Sequence, residues 1–167
     1  MNRCAPEALK TIAAECPGFQ ARATARALTR YYNRCFKPLE LTAEQFSLLV
    51  GIGSSEGATL GDLADKAGID ATTLSRNMRT LERRGLIRAT GGRGRGGKRL
   101  TLTQSGNQLL LAAVPAWEQA RTELAHHLGD DNIRPIKQAM AALAMAAKSA
   151  GASFKPNQDN LVGGHYV

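Results

Sequence analysis

Residues 70–103 read DATTLSRNMRTLERRGLIRATGGRGRGGKRLTLT, and this stretch decides the fold. Leu74, Met78 and Leu81 recur at steps of four and three, the spacing of one helix face. Asp70 is a capping residue type set just before that run, and Gly85 is the type that ends helices in a left-handed conformation. Together they predict a helix over Ala71–Arg84. Leu86-Ile87-Arg88-Ala89-Thr90 then reads as a strand, Gly91 to Gly97 as a basic tip, and Arg99-Leu100-Thr101-Leu102 as the returning strand. Upstream, Thr59 caps a short helix from Leu60 to Lys66, and Ala67-Gly68-Ile69 makes the turn into the next. Two short helices across a tight turn, followed by a hairpin, describe a winged helix-turn-helix.

The same stretch holds the charge. Arg76, Arg79, Arg83, Arg84, Arg88, Arg93, Arg95, Lys98 and Arg99 stand against Asp70 and Glu82: nine bases less two acids, +7 of a chain total of +8. A solvated face mixes both signs, whereas a single sign concentrated in one segment is the footprint of a polyanion, with nucleic acid ahead of membrane. With Leu74, Met78 and Leu81 facing inward, Thr72, Thr73, Ser75, Arg76, Asn77, Arg79 and Thr80 are left on or near the outer face. A recognition helix reads base edges from its N-terminal part, which favours Thr72, Thr73, Arg76 and Asn77 for the major groove. Arg suits guanine, Asn suits adenine, and a Thr methyl suits thymine. Ser75 and Thr80 suit phosphates, which position without specifying sequence. Arg93, Arg95, Lys98 and Arg99 sit on or beside the wing tip, where arginine can enter a narrow minor groove.

Elsewhere the sequence mostly excludes. A length of 167 residues suits one domain, and 43% hydrophobic residues are enough for a core. Only 5% are aromatic, with 17 Gly, which argues against a β-sandwich. No run approaches the roughly 18 apolar residues of a spanning helix, and Met1-Asn2-Arg3-Cys4 does not open like a secretion signal. Three cysteines without a Cys-x-x-Cys make no disulfide framework, so a reducing cytoplasm is the expected location. The Gly92-x-Gly94-x-x-Gly97 match is followed by a strand, not the helix N-terminus a dinucleotide site requires. His126 and His127 are neighbours that diverge by about 100° on a helix and do not chelate together. No metal, no cofactor and no enzymatic constellation is expected.

On either side the pattern is helical. From Phe19 to Phe36, Leu28, Tyr31, Tyr32 and Cys35 follow helical spacing until Pro38. Thr42-Ala43-Glu44-Gln45 is a capping-box sequence, with the helix running through Phe46, Leu48, Leu49 and Ile52. Beyond Thr103, Leu110, Ala113, Trp117, Ala120 and Leu124 step by three and four, as do Ile133, Ile136, Met140, Leu143 and Ala147. Pro115 is expected to kink the first of these helices, and Asp131 or Asn132 to cap the second. The fold class is therefore mainly α with a small β-wing: a winged helix-turn-helix over 42–103, flanked by long helices over 19–38 and 104–148. These are read as dimerisation helices because a two-fold DNA reader needs them, although their apolar stripes also fit an intramolecular core. That makes one domain over 1–150, with a polar tail over 151–167.

Taken together, these motifs resemble the multiple-antibiotic-resistance regulator (MarR) family of bacterial transcription factors. The carrying residues are Leu41-Thr42-Ala43-Glu44-Gln45-Phe46-Ser47-Leu48-Leu49, Thr59-Leu60-Gly61-Asp62-Leu63-Ala64 and Asp70-Ala71-Thr72-Thr73-Leu74-Ser75-Arg76. Leu81-Glu82-Arg83-Arg84-Gly85-Leu86-Ile87 and Leu102-Thr103-Gln104-Ser105-Gly106 complete them, and the likeness spans about residues 19–148. The resemblance implies a homodimer on double-stranded DNA with a pseudo-palindromic operator, usually a repressor, released by a small ligand or by thiol oxidation. The family's wing usually carries Asp-x-Arg before its Leu-Thr; here those positions are Gly94 and Gly96, leaving Arg93 or Arg95 to serve.

Two regulatory readings stay open. Cys16 lies where some thiol-sensing relatives keep a reactive cysteine, with Cys4 and Cys35 as resolving candidates and Arg22 and Arg26 one or two turns on. An effector pocket lined by Tyr31, Tyr32, Phe46 and Trp117, with a nearby Arg for a carboxylate, is the other; the same aromatics also fit a plain core. An architectural protein binding duplex DNA by charge and shape is the alternative to a sequence-specific regulator.

Overall fold

The computed structural model of the chain describes residues 5–55, 59–67, 71–91 and 98–153. In chain order these form α1 (Pro6–Glu15), α2 (Pro17–Phe36), a 3-10 turn (Lys37–Leu39), α3 (Ala43–Gly53), α4 (Leu60–Ala67) and α5 (Ala71–Arg83). The strands β1 (Ile87–Thr90) and β2 (Arg99–Leu102) follow, then α6 (Gln104–Leu128), a 3-10 turn (Asp130–Asn132) and α7 (Ile133–Ser153). The architecture is mainly α with a two-stranded wing, as the sequence predicts. The chain divides into two compact units, Met1–Arg121 and Thr122–Val167.

Local chemistry explains the element ends. Thr42 accepts from the Gln45 amide at 3.1 Å while the Gln45 side chain accepts from the Thr42 amide at 3.2 Å, so both arms of the capping box form. Ala43 donates its amide to Asn33 Oδ1 at 2.7 Å, tying the start of α3 to α2. At the end of α5, Gly85 has φ +66, Leu86 N–H donates to Leu81 O at 3.0 Å and Gly85 N–H to Glu82 O at 2.9 Å. That is the paired C-terminal closure that a left-handed glycine permits.

The core of the first unit gathers Phe36, Leu41, Leu48, Leu49, Ile52, Leu63, Leu74, Met78, Leu81, Leu86, Ile87, Leu100 and Ala113. The wing joins it through strand alternation: Ile87 pairs with Leu102 and Ala89 with Leu100, whereas exposed Arg88 and Thr90 pair with Thr101 and Arg99. Thr59 bridges to Arg99, so the start of α4 extends the sheet edge.

Thr103 fastens α6 to this core. Its amide donates to Leu86 O at 3.0 Å, its hydroxyl donates to Gly85 O at 2.6 Å, and that hydroxyl accepts from Gly106 N–H at 3.0 Å. Gly106 lies so close to Leu86 that an added Cβ would run into the Leu86 carbonyl oxygen. Further along α6, buried Ala120 accepts from the Tyr31 hydroxyl at 3.1 Å, joining α6 to α2.

Several expectations need adjusting. Residues 6–15 form a helix that the periodicity reading passes over, and α2 starts at Pro17, not Phe19. Asn132, the residue before the last helix, donates Nδ2 to Leu128 O at the end of α6 at 2.6 Å. The last helix continues through Gly151 to Ser153, so the tail boundary moves outward; Asp70 and residues 154–167 lie outside the described residues.

Candidate nucleic-acid interface

The interface is built from α4, α5 and the wing. Thr59 and Asp62 cap α4 reciprocally: the Asp62 amide donates to Thr59 Oγ1 at 3.2 Å, and the Thr59 amide donates to Asp62 Oδ2 at 2.9 Å. The Thr59 hydroxyl adds a bond to the same carboxylate oxygen at 2.8 Å. On α5, Leu74 and Leu81 are 0% exposed and Met78 5%. Burying that stripe anchors the helix and turns the opposite face outward.

On that opposite face Thr72, Thr73, Arg76, Arg79 and Arg83 are exposed, while Ser75, Asn77 and Thr80 are half-buried. Arg76, Arg79, Thr80, Glu82 and Arg83 line an open groove of about 410 Å³. Thr80 donates to the Arg76 carbonyl at 3.2 Å and accepts from Arg83 Nη2 at 3.4 Å, which holds part of this cationic row in place. Three guanidinium groups set against the single carboxylate of Glu82 suit a polyanion.

Ser75 does not stand on that row. It lines a second cleft of about 210 Å³ between the helices and the wing, with Leu60, Met78, Arg79, Glu82, Ala89, Lys98 and Leu100. Asn77 is tied down too, donating Nδ2 to Glu44 Oε2 at 3.2 Å and to Thr73 O at 3.4 Å. Sequence reasoning missed Glu44 in this role, because its partner lies on another helix. Lys98 and Arg99 are exposed at the base of the wing, whereas Arg93 and Arg95 lie outside the described residues. Arg84 does not join the row: its Nη1 donates to Glu40 O at 2.8 Å and to Gln45 Oε1 at 3.4 Å.

The regulatory candidates fall into two places. Cys16 is half-buried at the joint between α1 and α2; Cys35 is half-buried near the end of α2, and both are free thiols. One continuous helix separates them by about 28 Å at 1.5 Å per residue, so they cannot pair within one chain of this fold. Cys4 lies outside the described residues. Tyr31 meets Tyr32 edge-on at 5.4 Å, Tyr32 stacks with Phe36 at 5.9 Å, and Phe36 with Phe46 at 4.4 Å. Phe36 is fully buried, so this run is largely packing between α2 and α3. Trp117 is 37% exposed, with the Arg121 guanidinium 5.6 Å from its ring centre. Burial, and then the Cys35 thiol, push the Tyr32 hydroxyl above its ordinary value, while Arg121 pulls the other way. Arg121 is therefore the cation beside the aromatic group, although the sequence did not single it out. Among the described residues, no cluster of three His, Cys, Asp or Glu could hold a metal ion, and no helix is long and apolar enough to cross a membrane.

A buried-stripe recognition helix, a reciprocal cap on the helix before it and a basic hairpin packed alongside define a winged helix-turn-helix DNA-binding protein. The MarR family profile matches residues 41–90. The transcriptional regulator MosR of M. tuberculosis is 35% identical, with a TM-score of 0.73, over 82% of this chain and 98% of that one. A second MosR structure, in complex with DNA, is likewise 35% identical at TM-score 0.73, covering 81% and 98% of the two chains. The transcriptional repressor CouR, bound to a 23-mer DNA duplex, is 25% identical at TM-score 0.71, covering 80% and 95%. CouR is also seen bound to p-coumaroyl-CoA, at 25% identity, TM-score 0.71 and coverage of 80% and 94%. No curated protein sequence matches the chain. The chain belongs to the MarR family of DNA-binding transcriptional regulators, and is a regulator, not an enzyme.

Proposed function

We propose that this regulator is a homodimeric, sequence-specific repressor that binds a pseudo-palindromic operator and is released by a small ligand or by thiol oxidation. The observation that carries the proposal is the outward face of α5, where exposed Thr72, Thr73, Arg76, Arg79 and Arg83 stand opposite a fully buried stripe. Its N-terminal residues suit base edges, and its arginines suit guanine and phosphate. The DNA complexes of MosR and CouR support the same use of this fold.

Dimerisation is supported by apolar side chains that the single chain leaves exposed. These are Leu9 and Ile12 on α1, Phe19 on α2, and Ile136, Met140 and Leu143 on α7. A two-fold reader needs such a partner surface to space its half-sites. On this reading 42–103 bind DNA, the helices within 19–38 and 104–148 form the dimer, and the protein works on genomic DNA in the cytoplasm. Release by a small ligand is supported by the p-coumaroyl-CoA complex of CouR, with Trp117 and Arg121 as the exposed aromatic–cation pair here. Release by oxidation draws on Cys16 at the α1–α2 joint, its resolving partner being Cys4 or a thiol of the second subunit.

Arg76→Ala should weaken operator binding and relax base preference. Arg93→Ala combined with Arg95→Ala should weaken binding and lower the salt slope by about two. Unchanged affinity in both variants would rule out this docking. Operator release by peroxide that persists in Cys16→Ser would remove Cys16 as the sensor.

A further inference from the structure

We infer that Glu44 is a positioning residue for Asn77, turning it from a two-point reader of adenine into a single hydrogen-bond acceptor. The inference rests on the DNA-recognition reading of α5. Asn77 Nδ2 donates to Glu44 Oε2 at 3.2 Å and to the Thr73 carbonyl at 3.4 Å. A carboxylate and a backbone carbonyl only accept, so chemistry alone sets which end of the amide faces them. Both Nδ2 protons are then engaged, and Oδ1 is the group left to meet DNA.

Adenine is read bidentately when an amide proton reaches N7 and the amide oxygen takes a proton from N6. Asn77 has no proton left for N7. Its oxygen suits the major-groove amino group of adenine or of cytosine, and opposes the O6 of guanine and the O4 of thymine. Glu44 sits in the first turn of α3, and its Oε2 accepts from Asn77 across the gap between α3 and α5. One carboxylate on a different helix thereby sets the base preference of a residue 33 positions away.

The test is selection of bound duplexes from a randomised pool by the full chain, its Asn77→Ala, Glu44→Ala and Glu44→Gln variants, and the Glu44→Ala/Asn77→Ala double variant. In the unaltered protein, one position in each half-site should accept adenine and cytosine comparably and exclude guanine and thymine. Glu44→Ala frees an amide proton, so adenine should rise over cytosine by roughly fivefold or more at that position. Glu44→Gln still offers an acceptor and should restore the original profile, whereas Asn77→Ala and the double variant should lose the preference alike. A purely structural Glu44 would lower affinity for every sequence together and leave the profile unmoved. An Asn77→Ala or Glu44→Ala profile identical to that of the unaltered protein overturns the inference while leaving DNA recognition standing. No enriched motif in the unaltered protein overturns the recognition reading itself.

Discussion

Arg84 donates Nη1 to the backbone carbonyl of Glu40 at 2.8 Å, across 44 positions of sequence. Glu40 is the one described non-glycine residue with positive φ, at 53°, so the contact holds the left-handed corner between α2 and α3 against the end of α5. The same nitrogen reaches Gln45 Oε1 at 3.4 Å, on the side chain that completes the capping box. Arg84→Ala is therefore expected to cost about 1 kcal/mol of stability in a denaturant melt. It should leave base preference untouched, in contrast to Arg76→Ala.

Gly106→Ala should be among the costliest single-methyl changes in the chain. The new Cβ would meet the Leu86 carbonyl oxygen, which already accepts the Thr103 amide, so α6 would have to move away from the start of β1. A loss of about 1–3 kcal/mol is expected from equilibrium unfolding. Gly151→Ala, within α7 and with nothing within 4 Å of an added Cβ, serves as the clash-free control and should be neutral to stabilising by up to about 1 kcal/mol.

What was legible in the sequence was chemistry that closes within a few residues. The Thr42–Gln45 box, the Leu74–Met78–Leu81 stripe, the Gly85 stop and both wing strands each depend on near neighbours or a short period. Contacts set by tertiary placement were not legible: Asn77 with Glu44, Arg84 with Glu40, and Thr59 beside Arg99 join residues that no local pattern relates. The helix α1 escaped for a different reason. It buries none of its residues, so it has no core-facing stripe to read, and its local marks are Pro6 at the start and Glu7 in the first turn. Cys16 and Cys35 looked like a candidate pair until the unbroken length of α2 set them far apart.

Tyr31→Phe removes the hydroxyl that donates to the Ala120 carbonyl at 3.1 Å, the bond between α2 and α6. About 1 kcal/mol of stability should be lost. A thermal melt with no change would contradict a stabilising role for this bond.

Tyr32 gives a pH-dependent signature. Burial is the larger cause raising its hydroxyl above the ordinary value of 10.0, with Cys35 adding to it and Arg121 opposing. The unfolded chain then loses this proton first as pH rises, so the folded state holds more protons and stability falls through that window. This residue's contribution is fully present below pH 10.0 and is lost above it. Any stability advantage of the unaltered protein over Tyr32→Phe should therefore hold up to about pH 10 and shrink above it in paired melts. A constant difference would contradict the shift.

The most direct measurement is a binding titration at near-physiological salt, with thiols reduced, on a duplex enriched from genomic fragments and on a scrambled duplex of equal length. Sequence-specific regulation through the outer face of α5 predicts a preference of about a thousandfold or more, collapsing in Arg76→Ala. Equal affinity for the two duplexes would contradict it and leave a protein that holds DNA by charge and shape alone.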